Sequence, residues 1–302
     1  MIPLLGTLTG WLLFGGLVAC WGAIIGYWFI ACPPDGEVRA SAKVSKATAE
    51  ELGRIGGYTL PVALGFVFLR QLQEFRDPFA SWAEDARLLA FGTDWGITWV
   101  CGFILSVLIM GVFSSLRLTK ESGWIAGSLL TLALSVFPAL TGHANGTEGL
   151  RWISIPADVV HIVAAGMWIG GLTLVLLSEY NLRVRYRAGI DTLLPELVPR
   201  FSRIALPAVL ALLLTGILAA WIHVPSFNTL LTTSYGQTLI VKVAFVLLLL
   251  FIGGMNWRRI TPRLLDVDGP RTMRKSAAIE LLFAHLVLLV TAVLTRISPT
   301  DH

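Results

Sequence analysis

Eight stretches of this chain stay apolar for about the thickness of a bilayer, and this decides what the chain can fold into. They run approximately over residues 9–32, 55–73, 96–114, 123–141, 154–178, 203–223, 238–256 and 278–297. An α-helix rises about 1.5 Å per residue, so roughly 20 apolar residues cross a hydrocarbon core about 30 Å thick. Inside hydrocarbon a segment must satisfy its own backbone N–H and C=O groups, so runs of this length are helices. The expected fold class is an all-α integral membrane protein, a polytopic bundle of about eight transmembrane helices. It is read as a single transmembrane domain over residues 1–302, with no length left for a large soluble unit. Composition agrees, with 55% of residues hydrophobic and 14% charged, where a soluble domain carries roughly a quarter charged. The first run has neither a basic leading region nor a small-residue cleavage site, so it is read as a retained helix and not a signal peptide.

The positive charge is distributed unevenly between the runs. Of the 23 Lys and Arg residues, seventeen fall in the first, third, fifth and seventh loops, five in the even loops and tail, and Lys242 lies inside a span. The positive-inside rule puts the odd loops in the cytoplasm and both termini in the periplasm. The basic balance is therefore a topology signal, and nucleic acid is not an expected partner. Cys20, Cys32 and Cys101 are few and odd in number and imply no disulfide framework. Between the second and third spans, residues 73–96 set Trp82, Leu88, Leu89 and Phe91 among acids, the pattern of a helix lying on the membrane surface. Glu280, near the inner end of the last span, is expected to meet the basic seventh loop.

The fifth span carries the chemistry. Asp158 and His161 are three residues apart and share a helix face, which Ala165 and Trp168 continue. A carboxylate and an imidazole within a membrane helix call for a polar partner, a cavity or a ligand. With the orientation above, His143 lies in the outer fourth loop, His161 about two turns below the outer face and His223 at the outer end of the sixth span. Lys242 is at a similar depth to Asp158, and only His285 is deeper. Imidazoles bind copper in either oxidation state, and a carboxylate beside a ligating histidine commonly fixes its tautomer. Alternatively, His161 is satisfied by Asp158 or Lys242 alone, and the spacing does not decide between the two. Lys242 either pairs with Asp158 or a backbone carbonyl or snorkels to the outer interface, and it is not a ligand, because its charge opposes a metal ion. Cys20, Cys32, Met110, Met167 and Met255 are scattered soft groups, more economically read as core than as a metal path. No nucleotide-binding motif is present, and no enzymatic activity is expected.

These residues also carry a resemblance. The G-H-A of Gly142–Ala144, the D-x-x-H of Asp158–His161 and the W-I-G-G of Trp168–Gly171 resemble the bacterial copper resistance protein D family (CopD, PcoD). Phe201-Ser202-Arg203, Thr215-Gly216, Tyr235-Gly236, Lys242, Asn256, Glu280 and the stretch from Leu294 to Pro299 continue the likeness, which is most specific over residues 140–300. One departure is Trp257, standing between Asn256 and Arg258 where an arginine would follow directly. The resemblance implies a bacterial inner-membrane protein that transports or handles copper, Cu(I) or Cu(II), beside a periplasmic copper-binding partner of the CopC type. The implied copper ligands are His143, His161 and His223, with Asp158, Trp168 and Lys242 around them. Two other readings of the histidines are a b-type haem electron-transfer protein and a non-transporting partner subunit of a periplasmic copper chaperone.

Overall fold

The computed structural model describes residues 2–31, 40–115, 120–142, 149–186, 192–224 and 226–297. His143, Cys32 and His302 lie outside the described residues. Ten α-helices follow one another: α1 (Ile2–Ile25), α2 (Ala40–Phe75), α3 (Trp82–Gly92), α4 (Asp94–Ser114), α5 (Glu121–Thr141), α6 (Arg151–Asn181), α7 (Leu194–His223), α8 (Phe227–Thr232), α9 (Ser234–Met255) and α10 (Gly269–Leu294). Eight helices are long and apolar enough to cross a membrane, all but the short α3 and α8. No strand occurs among the described residues. Wider π-turns prolong α1, α6 and α9 at their C-terminal ends.

The spans fall where hydropathy puts them, although α7 and α10 begin about nine residues ahead of the runs expected from 203 and 278 and α2 departs further. Helix α2 begins at Ala40, well ahead of the apolar run expected from residue 55. Its first turns are polar, and tertiary contacts hold them helical. Asn181 Nδ2 of α6 donates to Thr48 Oγ1 at 3.0 Å, and Arg185 Nη1 meets Glu51 Oε2 at 2.9 Å.

Helix α1 is the central post, packing against α2, α5, α6 and α10. Small residues let it come close to its neighbours. A Cβ on Gly22 would strike the backbone of Gly170, and one on Gly170 would strike that of Val18 and Gly22. Helix association in lipid relies on such close packing, because burial against hydrocarbon gives little drive. Gly171, next along, leaves room for the Phe201 ring of α7. The Gly170-Gly171 pair thus sets α6 between α1 and α7.

A buried carboxylate ties the end of the bundle where α6 finishes and α7 and α10 begin. Glu179, 1% exposed, accepts from Arg274 at 2.9 Å, Arg183 at 3.1 Å and the Leu193 N–H at 2.8 Å. This corrects the expectation that Glu280 meets the basic loop. Arg274 lies six residues before Glu280, about 120° round the helix at 3.6 residues per turn. The two therefore face different neighbours.

Helix α3 occupies the segment expected to lie on the membrane surface. Ser81 and Glu84 form a capping box, with the Ser81 N–H donating to Glu84 Oε2 at 3.0 Å, and these hydrogen bonds hold the Glu84 carboxyl below its usual range. Arg76 meets Asp85 at 2.7 Å while its guanidinium lies over the Trp82 ring at 4.3 Å. Phe79, Trp82, Leu88 and Phe91 are left exposed, as an interfacial helix requires.

Candidate functional site

Helices α6, α7, α9 and α10 enclose a cavity of about 410 Å³, into which Asp158, His161, Thr215, His223, Tyr235 and Lys242 are brought together. The rest of its wall is almost wholly apolar, including Leu17 of α1 and Leu288 of α10.

His161 is oriented from across the cavity. Its Nδ1 is 2.8 Å from Thr215 Oγ1 on α7. That hydroxyl lies 2.6 Å from the Ala211 carbonyl oxygen, a contact that needs the hydroxyl proton between the two oxygens. Thr215 has one proton to donate, so toward the imidazole it is an acceptor. This assigns the ring proton to Nδ1 and leaves the lone pair on Nε2, the atom a metal would take. Metal-binding histidines are commonly held this way, one ring nitrogen on a fixed acceptor and the other free. The acceptor expected from helix spacing was Asp158, and the one found on Nδ1 is Thr215.

Asp158, one turn before His161, faces Lys242 of α9, and the two opposite charges act on one another across the chamber. Asp158 also acts on the Tyr235 phenol, and the Lys242 charge reaches the His161 ring. Carboxylate and ammonium together are close to neutral, which makes their burial tolerable in a low-dielectric interior.

His223 lines the same chamber from the last turn of α7, with its ring centroid 6.4 Å from that of Tyr235. It stands eight residues beyond Thr215, roughly 12 Å along the axis at 1.5 Å per residue. His161 and His223 therefore share a chamber at different heights, the second at the C-terminal end of α7. Among the described residues no three His, Cys, Asp or Glu side chains gather closely enough to hold a metal ion. His285 lines neither this chamber nor the one below. Its Nδ1–H donates to the Leu281 carbonyl at 2.9 Å, and its ring tilts against Trp11.

Trp168 lies seven residues past His161, roughly 10 Å further along α6. It is not beside the imidazole but at the floor of the chamber, and its indole N–H donates to Glu280. Beyond that floor is a second cavity of about 260 Å³ between the same four helices. Trp168, Val209, Leu249 and Leu250 line both cavities. Glu280, 5% exposed, accepts from Asn256 Nδ2 at 2.8 Å, and Asn256 is itself fixed by the Ser276 hydroxyl donating to its Oδ1 at 2.5 Å. Thr215, as the partner of His161, and Glu280, as a chamber residue, are the functional candidates that sequence reasoning missed. Their signal was that of polar residues within apolar runs.

Comparison with known proteins adds a family. The profile described as "Copper resistance protein D" matches residues 195–294, which is α7 through α10. The copper transport protein CutJ of Bacillus subtilis (strain 168) is 30% identical over 251 residues, covering 79% of this chain and 45% of that protein. The inner membrane protein YebZ of Escherichia coli (strain K12) is 32% identical over 138 residues, covering 45% of this chain and 46% of the relative. Copper resistance protein D of Pseudomonas syringae pv. tomato is 26% identical over 234 residues, covering 73% and 74%. The chain thus spans about half the length of the first two of these relatives. No solved structure matches it.

Proposed function

We propose that this chain, whose α7–α10 match the copper resistance protein D family, is a multi-pass inner-membrane protein that takes copper into the outer chamber and passes it across the bilayer. The observation that carries this reading is His161 itself. Its Nδ1 is committed to Thr215, and its Nε2 lone pair is left for an ion in a largely apolar chamber. Copper here is the cargo and no covalent chemistry is required of the protein.

The residues divide the work by height. His223 at the mouth meets the ion first, His161 holds it, and His143, in the loop leading into α6, supplies a further imidazole. Asp158 provides the negative charge that offsets Lys242, so a cation does not meet net positive charge. The uneven lysines and arginines put the chamber mouth on the periplasmic side, where a CopC-type protein delivers copper. Names of relatives that include "Copper transport protein" and "Inner membrane protein" support the cargo and the compartment.

The test is the copper content of the purified full chain, measured by mass spectrometry of the metal. His161→Ala should abolish the tightly held copper. His161→Gln should do nearly the same, since an amide keeps a hydrogen bond but is a poor copper ligand. A Gln variant with wild-type copper content would overturn the reading.

A further inference from the structure

The outer chamber does not account for the inner one, which belongs to the same four helices and begins where the outer one ends. From Asp158, high in the outer chamber, to Leu176, low in the inner one, α6 climbs eighteen residues, roughly 27 Å at 1.5 Å per residue. That is close to the hydrocarbon thickness of about 30 Å. The other helices agree on the order. In α9 Lys242 lines the outer chamber and Asn256 the inner, and in α10 Thr291 lines the outer and Met273 the inner.

We propose that the inner chamber is a second cation station in series with the outer one, with Glu280 supplying its counter-charge, Met273 a soft donor at its far end, and Trp168 the partition between the two. The proposal rests on the reading of the outer chamber as a copper site. Among the described residues Glu280 is the only charged side chain lining the inner cavity, whose wall is otherwise mostly apolar with Ser202, Asn256 and Thr261 as its polar groups, and a buried carboxylate facing such a space attracts a cation. Its fixed partners, the Asn256 amide and the Trp168 indole, are both donors, so they hold the carboxylate in place and favour its charged form against the cost of burial. Met273 lines the cavity two turns earlier on the same stripe of α10, with Ala277 between them. Its thioether suits Cu(I). At that spacing the two groups serve successive positions of one ion. Cys20, Met110, Met167 and Met255 line neither chamber. Trp168 stands between the stations while hydrogen-bonded to Glu280, so an ion arriving at the carboxylate competes directly with the bond that holds the partition.

The test is a two-by-two titration of the purified full chain with Cu(I) under reducing conditions, in competition with a colorimetric Cu(I) chelator. Glu280→Gln keeps the shape and an acceptor oxygen for Trp168 but removes the charge, so a purely structural role tolerates it. Wild type should hold two equivalents, His161→Ala one, Glu280→Gln one, and the double variant none. Met273→Leu should weaken the Glu280-dependent equivalent at least 10-fold. Glu280→Asp, which restores the charge, should recover part of it. If Glu280→Gln still binds two equivalents, or if wild type binds one that only His161→Ala removes, the inner station does not exist. Failure of the outer reading looks different: His161→Ala would match wild type while Glu280→Gln still lost one equivalent. Thermal unfolding in detergent confirms that each variant is folded before its copper is counted.

Discussion

Replacing Thr215 by valine tests the atom-level claim on which the copper site depends. Valine has nearly the shape of threonine and, β-branched like it, is stiff at χ1. The substitution therefore removes one oxygen and little else. The hydroxyl's bond to the Ala211 carbonyl is dispensable, because a carbonyl within a helix already has a backbone partner. The bond from His161 Nδ1 is lost with the oxygen, and a buried donor left without an acceptor costs about 1–3 kcal/mol. Freed from Thr215, the ring can turn or exchange its proton to Nε2, and either change removes the lone pair from the chamber. Loss of such a supporting acceptor typically lowers metal affinity about 10–100-fold, or about 1.4–2.7 kcal/mol. Chelator competition on the purified chain measures that drop, and Thr215→Ser, which keeps the oxygen, should restore most of it. Nitrogen NMR of labelled histidine gives a readout independent of copper: His161 and His285 both with Nδ1 protonated in wild type, and loss of the His161 signature alone in Thr215→Val. A Thr215→Val protein with wild-type affinity and an unchanged His161 tautomer would refute the assignment of Nε2 as the ligand atom.

Two further outcomes are expected. Gly170→Ala should sharply reduce the yield of folded protein, because the new methyl meets the α1 backbone, whereas Gly15→Ala on the same central post meets nothing within 4 Å and should be neutral or slightly stabilising; equal yields and melting temperatures would refute the tight α1–α6 seam. A reporter active only in the cytoplasm should be active when fused after Leu264 and silent after Asn228, and the reverse pattern would turn the chamber mouth to the wrong side.

The spans were legible because each is a local property, an uninterrupted apolar run of sufficient length, and α1 through α10 contain them all. What was not legible came from contacts between runs. The polar start of α2 is helical because Thr48 and Glu51 find Asn181 and Arg185 on another helix. The Asp158–His161 stripe was visible from spacing, and both residues do line one chamber. The Gly170-Gly171 pair was visible as small residues, but its meaning depends on Gly22 and Phe201, far away in sequence. His143 falls outside the described residues, so its place as a third imidazole rests on the resemblance alone.

A single physical reason underlies these cases. A membrane helix satisfies its own backbone, so its polar side chains are the groups left needing partners. Spacing along one helix suggests that they pair within it, as it does for Asp158 and His161. A partner on a neighbouring helix does more, because it satisfies the buried group and also fixes how the two helices sit. The chain uses that solution repeatedly. His161 on α6 is held by Thr215 on α7, and Asn181 on α6 by Thr48 on α2. Glu179 on α6 is held by Arg274 on α10, and Glu280 on α10 by Asn256 and by Trp168 on α6. Helix α6 takes part in all four arrangements, and it is also the helix that glycine packing locks to the central post. The imidazole in its N-terminal half and the indole near its midpoint are therefore both carried on a helix fixed from two sides, which is the rigid support that the proposed copper site needs.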